Sequence, residues 1–154
     1  MDALEALFTR RSLRAYEARP VPAAILREVL AAAMSAPSAG NAQPWHFVVI
    51  EDPAVLADLV KKFHPNGDLG CPPVAVVTCG DPTIEKFKGF WSQDCAAATE
   101  NLLLAAHACG LGAVWVAVHP IAERERVLRD ALGIPAHVVP VSYTHLTLPT
   151  KRIV

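Results

Sequence analysis

Arg10, Arg11 and Arg14 lie within a span of five residues, with Ser12 between them. Guanidinium groups at that density beside a hydroxyl suit a phosphate, because forked donors pair with its oxygens and the hydroxyl adds one more bond. A solvated basic turn after a helix has the same composition, and the local pattern alone leaves both readings open. The second stretch able to do chemistry runs Ser-Ala-Pro-Ser-Ala-Gly-Asn-Ala-Gln-Pro-Trp-His-Phe-Val-Val-Ile over residues 35–50. Ser38, Ala39 and Gly40 place no bulky side chain in the way of a flat ligand. Ser38, Asn41 and Gln43 offer hydroxyl and amide groups to a heteroaromatic edge, and Pro37 and Pro44 fix the backbone at either end. A helix C-cap followed by a strand-entry loop is the plainer alternative.

Other chemistries find little support. The sequence has no nucleophile–His–carboxylate arrangement, no paired carboxylates and no zinc-like pairing of Cys with His. The six histidines, His46, His64, His107, His119, His137 and His145, show no ligand spacing and read as surface or satisfied interior residues. Trp45 and Trp115 read as packing anchors. Phe87, Phe90 and Trp91 fall in a segment without clear period that suits an ordered loop or a lid.

Something must hold these stretches in place. Leu4, Leu7 and Phe8 have the spacing of a short amphipathic helix, which Asp2 caps with Glu5 three positions on. Residues 23–34 predict a second helix with Pro22 near its first turn, and residues 47–50 a buried strand. Asp52 caps a helix that starts near Pro53. Residues 74–78 read as a strand, and residues 91–108 as a long helix apolar nearly all round. Such a helix packs on its own sheet and on a partner subunit. Gly110 stops it in the left-handed conformation. Residues 113–118 form a third strand, residues 121–132 a charged helix ended by Gly133, and a further strand begins at Val138.

The chain of 154 residues suits one compact domain. A formal net charge of -1 argues against a nucleic-acid surface. Apolar runs are interrupted before they could span a bilayer. The four cysteines, Cys71, Cys79, Cys95 and Cys109, form no CxxC, and no signal peptide is evident, so reduced thiols in a cytoplasmic protein are expected.

Three segments together carry a resemblance: Arg10-Arg11-Ser12-Leu13-Arg14, Ala36-Pro37-Ser38-Ala39-Gly40-Asn41-Ala42-Gln43-Pro44-Trp45 and Gly110-Leu111-Gly112-Ala113-Val114-Trp115. In this order and at these separations they resemble the nitroreductase family of FMN-dependent oxidoreductases, over residues 2–141. The stretch Gln93-Asp94-Cys95-Ala96-Ala97-Ala98 is similar to the start of that family's central dimer helix. The resemblance implies an α+β fold with a mixed central sheet flanked by helices, and a homodimer with FMN at its interface. It implies that Arg10, Arg11, Ser12 and Arg14 hold the FMN phosphate and ribityl chain. Pro37, Ser38, Ala39 and Asn41 would come from the other subunit to line the isoalloxazine ring. Main-chain groups around Trp115, Val116 and Ala117 would pass the flavin near N5 and the pyrimidine edge. The implied reaction is ping-pong hydride transfer from NAD(P)H, via flavin N5, to a nitroaromatic, quinone or similar small-molecule acceptor, with no catalytic side chain required. A flavin-binding or sensing module without turnover remains the rival reading, as do a truncated, non-functional family member and a purely structural domain.

After Val141 the resemblance stops. Residues 1–141 are expected to form the FMN-binding domain. Residues 142–154 read as an atypical tail, foreign or frame-shifted sequence to be set aside from the fold.

Overall fold

The computed structural model describes residues 1–64, 66 and 70–148. In chain order the elements are α1 (Ala3–Thr9), α2 (Ala23–Met34), a 3-10 turn (Ala39–Asn41), β1 (Trp45–Ile50), α3 (Pro53–Phe63), β2 (Val74–Gly80), α4 (Trp91–Ala108), β3 (Gly112–Ala117), α5 (Ala122–Leu132) and β4 (Val139–Thr147). The helix signals act as their chemistry requires. Asp2 accepts from Glu5 N at 2.8 Å, and Asp52 Oδ1 accepts from the main-chain N of Ala54 and Val55. At the end of α4, Gly110 takes φ 77 and Leu111 N reaches back to Ala106 O at 2.8 Å, a left-handed C-terminal cap.

The four strands lie in the order β1-β2-β4-β3, and every neighbouring pair is antiparallel. The four strands therefore pair antiparallel throughout, where the resemblance implied a mixed sheet, and a parallel contact is made at the edge by the Ser12–Ala113 bridge. The α+β class and the flanking helices stand. Helices cover both faces. On one, Leu56, Leu59 and Phe63 of α3 and Leu128 of α5 pack on Val77, Val116 and Tyr143. On the other, Val29 and Ala33 of α2 and Leu102, Leu103 and Ala106 of α4 pack on Val74, Val76 and Leu146. A strand buried on both faces has no polar side, which is why all seven residues of β2 are buried.

The expectation that the fold stops at Val141 needs correction. Ser142–Thr147 are the last six residues of β4, the strand between β2 and β3, and pair with both neighbours. The segment is polar, and hydrophobic patterning gave no sign of it. Half of its side-chain polar atoms find partners inside: Ser142 Oγ lies 3.1 Å from Thr99 Oγ1, Tyr16 Oη lies 2.7 Å from His145 Nδ1, and Thr147 Oγ1 accepts from Glu17 N, while Tyr143 Oη, Thr144 Oγ1 and His145 Nε2 are buried without a partner among the described residues. Pro140, which cannot donate to a ladder, sits at a register shift where β2 passes from Thr78 to Cys79. Residues 149–154, including Lys151 and Arg152, lie outside the described residues.

The long helix is less enclosed than its composition predicts. In the single chain Asp94, Cys95, Ala98, Thr99, Leu102, Leu103 and Ala106 are buried, while Ala97, Asn101 and Leu104 are half-buried. Between α1, α2 and this face of α4 runs a groove of about 300 Å³, lined by Ala6, Leu7, Ala32, Asn101, Leu104 and Ala105 among others.

Candidate functional site

Ser12 forms a parallel bridge with Ala113 of β3, and Leu13 N donates to Ala113 O at 2.9 Å. The basic segment is therefore laid along the open edge of the sheet. Gly112 makes this possible, since a Cβ there would stand 2.8 Å from Leu13 Cδ1 and 3.2 Å from Thr147 Cγ2. The arginines have different partners. Arg10 Nε faces Glu100 Oε1 of α4 at 3.4 Å, and Arg11 Nη1 donates to the carbonyls of Phe8 and Arg10. Arg14 and Ser12 are exposed.

Because Ala113 O points outward from the sheet, the two-residue alternation of a strand turns the main chain of Trp115 and Ala117 the same way. Ala117 O is taken by Arg124 Nη1 at 2.6 Å. From Ala113 to Ala117 is roughly 13 Å along the strand, so the basic segment and the outward groups form one line. Val116 packs its side chain into the core, and the same alternation turns its main chain toward β4, where it pairs with Tyr143.

The loop after α2 is more constrained than its small residues announced. Gly40, Asn41 and Gln43 take φ of 60, 53 and 50, in the left-handed region that non-glycine residues rarely enter. Ser38 Oγ is used within the loop, accepting from Gln43 N at 3.0 Å. Gly40 is not bare for a ligand alone, since a Cβ there would stand 2.8 Å from Phe87 Cε2 and 3.1 Å from Lys86 Cδ. Lys86 Nζ also donates to Gly40 O at 2.7 Å. Pro37 and Asn41 are exposed, Ser38 and Ala39 half-buried.

Within one chain the structure ties the segment of Arg10, Arg11, Ser12 and Arg14 to β3 at Ala113, on the strand that carries Trp115 and Ala117, and anchors the loop of Pro37, Ser38, Ala39 and Asn41 elsewhere. Ala39 N is tied to Asp94 and Arg10 to Glu100. Those anchors are six residues apart on α4, roughly 9 Å along its axis and on different faces. Sequence reasoning missed three residues here: Asp94, Glu100 and Lys86. The acidic pair sits in a helix whose apolar composition drew the attention, and Lys86 in a segment without period.

Two thiols that a redox reading would examine are inert. Burial pushes Cys79 and Cys95 up to about 12, and all four cysteines are free. Near the base of the Phe87 segment a second cavity, of about 390 Å³, is lined by His46, Asp81 and His137 with Val48, Ile134 and Val138. Hydrogen bonds from Thr83 hold the Asp81 carboxyl below its ordinary range. Among the described residues no group of three or more His, Cys, Asp or Glu side chains is placed to hold a metal ion, and no helix is long and apolar enough to cross a membrane.

A four-stranded antiparallel sheet between helices, with a basic segment on its edge strand, is the nitroreductase-like fold. The crystal structure of a "Putative NADH dehydrogenase/NAD(P)H nitroreductase" from Bacteroides thetaiotaomicron superposes with a TM-score of 0.91 at 35% identity, over 97% of this chain and 88% of that one. The FMN-dependent nitroreductase of Clostridium difficile R20291 gives 0.86 at 25% identity, over 97% and 88%. The Nitroreductase family model matches residues 7–70 and 85–145, and the chain belongs to that family. A Methanothermobacter thermautotrophicus protein of the same name as the Bacteroides one is 45% identical over 153 residues, 99% of this chain and 80% of its own length.

Proposed function

We propose that the protein is an FMN-dependent NAD(P)H oxidoreductase, active as a homodimer with FMN at the interface. The observation that carries this reading is the basic segment fastened to the sheet edge by the Ser12–Ala113 bridge. It stands in line with the outward main chain of Trp115. The donor set fits the cofactor: guanidinium and hydroxyl groups for a phosphate, then backbone N–H and C=O for a ring edge.

Arg14 and Ser12 would bind the phosphate, with Arg10 and Arg11 adding positive charge beside it. Trp115 and Ala117 would present main-chain groups to the ring. Pro37, Ser38, Ala39 and Asn41 would reach the same ring from a second copy. The exposed side chains of Leu4, Leu7, Phe8 and Met34 and the groove beside α4 supply apolar surface for that second copy to cover. FMN, when bound, supplies the redox chemistry itself, taking a hydride equivalent from NAD(P)H and passing it by a ping-pong order to a nitroaromatic, quinone or similar acceptor. The chain's task is to bind, orient and shield; no side chain needs to move a proton. Four free thiols suit a reducing, cytoplasmic setting.

Flavin titration by fluorescence quenching tests the reading. Arg14→Ala should weaken FMN by about tenfold or more, the worth of one charge-assisted bond, and leave riboflavin unchanged. Equal losses for both flavins would contradict the phosphate role. NADH should bleach the visible flavin band and a quinone should restore it; colour without bleaching would make the protein a flavin-binding module instead.

A further inference from the structure

The loop of Pro37, Ser38, Ala39 and Asn41 is held in a backbone shape its residues do not favour, and few contacts hold it. Inside the loop, Asn41 N donates to Ser38 O at 2.9 Å and Gln43 N to Ser38 Oγ at 3.0 Å. Lys86 reaches it from an exposed position. The tie to α4 is Ala39 N donating to Asp94 Oδ1 at 3.0 Å. Asp94 is only 6% exposed. It sits in the first turn of α4, where the free N–H groups of the helix favour negative charge. Its second oxygen, Oδ2, is buried with no hydrogen-bond partner among the described residues.

A half-satisfied buried carboxylate is an expensive way to fill space, and an apolar side chain would cost less. Groups that break this rule are concentrated where a fold serves a task other than its own stability. Resting on the reading of this loop as the flavin-facing one, we propose that Asp94 is its positioning residue. Its Oδ1 fixes the Ala39 peptide and so sets the Asn41 side chain before the flavin arrives. With Glu100 holding Arg10, α4 then carries one anchor for each of the two sites to which its chain contributes. The gain is preorganisation: the loop's ordering cost is met on folding and not on binding.

The test compares the whole chain with Asp94→Ala, Asp94→Asn and Ala39→Pro, measuring dissociation constants for FMN and riboflavin and the melting temperature of each. Asparagine keeps an acceptor for Ala39 N. Proline removes that N–H from the loop side without touching the carboxylate; Ala39 opens the 3-10 turn after an extended Ser38, a position proline tolerates. Asp94→Ala and Ala39→Pro should weaken both flavins alike, each by about tenfold. The double variant should be no worse than either alone, and Asp94→Asn should stay within about threefold of the unmodified chain. Flavin affinities unchanged in Asp94→Ala or Ala39→Pro would overturn the proposal, as would an Asp94→Asn loss equal to that of alanine, whatever the melting temperatures do. If the unmodified chain takes up no FMN, the flavin reading itself fails; if it binds FMN and the variants bind equally well, only the role of Asp94 fails.

Discussion

Lowering the pH from about 8 to about 5 should destabilise the folded chain by about 2 kcal/mol through one side chain, His145. Its imidazole is fully buried in β4. Nδ1 is 2.7 Å from Tyr16 Oη, the Tyr143 ring lies edge-on at 4.4 Å, and Nε2 is buried without a partner among the described residues. Burial first, and the neighbouring His64 second, push its pKa down from 6.5 to about 3. A histidine whose folded value is depressed binds fewer protons folded than unfolded. Its neutral form is compatible with the fold above about pH 6.5, and stability is lost as pH falls from there toward about 3. At about 1.4 kcal/mol per pH unit the full loss approaches 5 kcal/mol, of which about 2 falls due by pH 5. Urea unfolding of the flavin-free protein at fixed concentration reads this directly, and His145→Gln should flatten the dependence across that range. The His145 ring protons, followed by NMR, should show no titration above about pH 5. A ring that titrates near 6.5, or a variant as acid-sensitive as the parent, would refute the reasoning and with it the placement of Ser142–Thr147 inside the sheet.

The core offers two further tests. A Cβ on Gly80 would fall inside contact distance of Trp91 Cε3, 2.9 Å from Cζ3 and 3.1 Å from Cys95 Sγ. Gly80→Ala should therefore cost about 1–3 kcal/mol by overpacking, read as a lower melting temperature; an unchanged melt would show that the indole swings away freely. Thr99 Oγ1 bonds Cys95 O at 2.8 Å and lies 3.2 Å from Thr78 Oγ1 and 3.1 Å from Ser142 Oγ. Thr99→Val leaves two buried hydroxyls short of a partner and should cost about 1–3 kcal/mol, while Thr99→Ser should retain most of the stability. Equal stability of the two variants by urea titration would mean the hydroxyl contributes nothing.

Sequence alone determined the elements that follow from local rules. Asp2, Asp52, Gly110 and Gly133 mark helix ends because caps are settled by the residue and its immediate neighbours. Residues 74–78 announced a buried strand by composition, and it runs two residues further, to Gly80. The basic segment and the small-residue loop were visible as chemistry, and their order carried the family. What only the tertiary structure decided are the relations between distant residues. Ser142 and His145 lie in the strand between β2 and β3, although their polarity argues for solvent, because Thr99 and Tyr16, 43 and 129 residues away in the chain, supply partners. Asp94 holds Ala39 from 55 residues away, in a loop where Asn41 and Gln43 both take positive φ. Periodicity measures how a segment meets solvent on average. A buried hydrogen bond between two polar residues leaves no trace in it, and so the anchors of the site stayed hidden until the chain was seen folded.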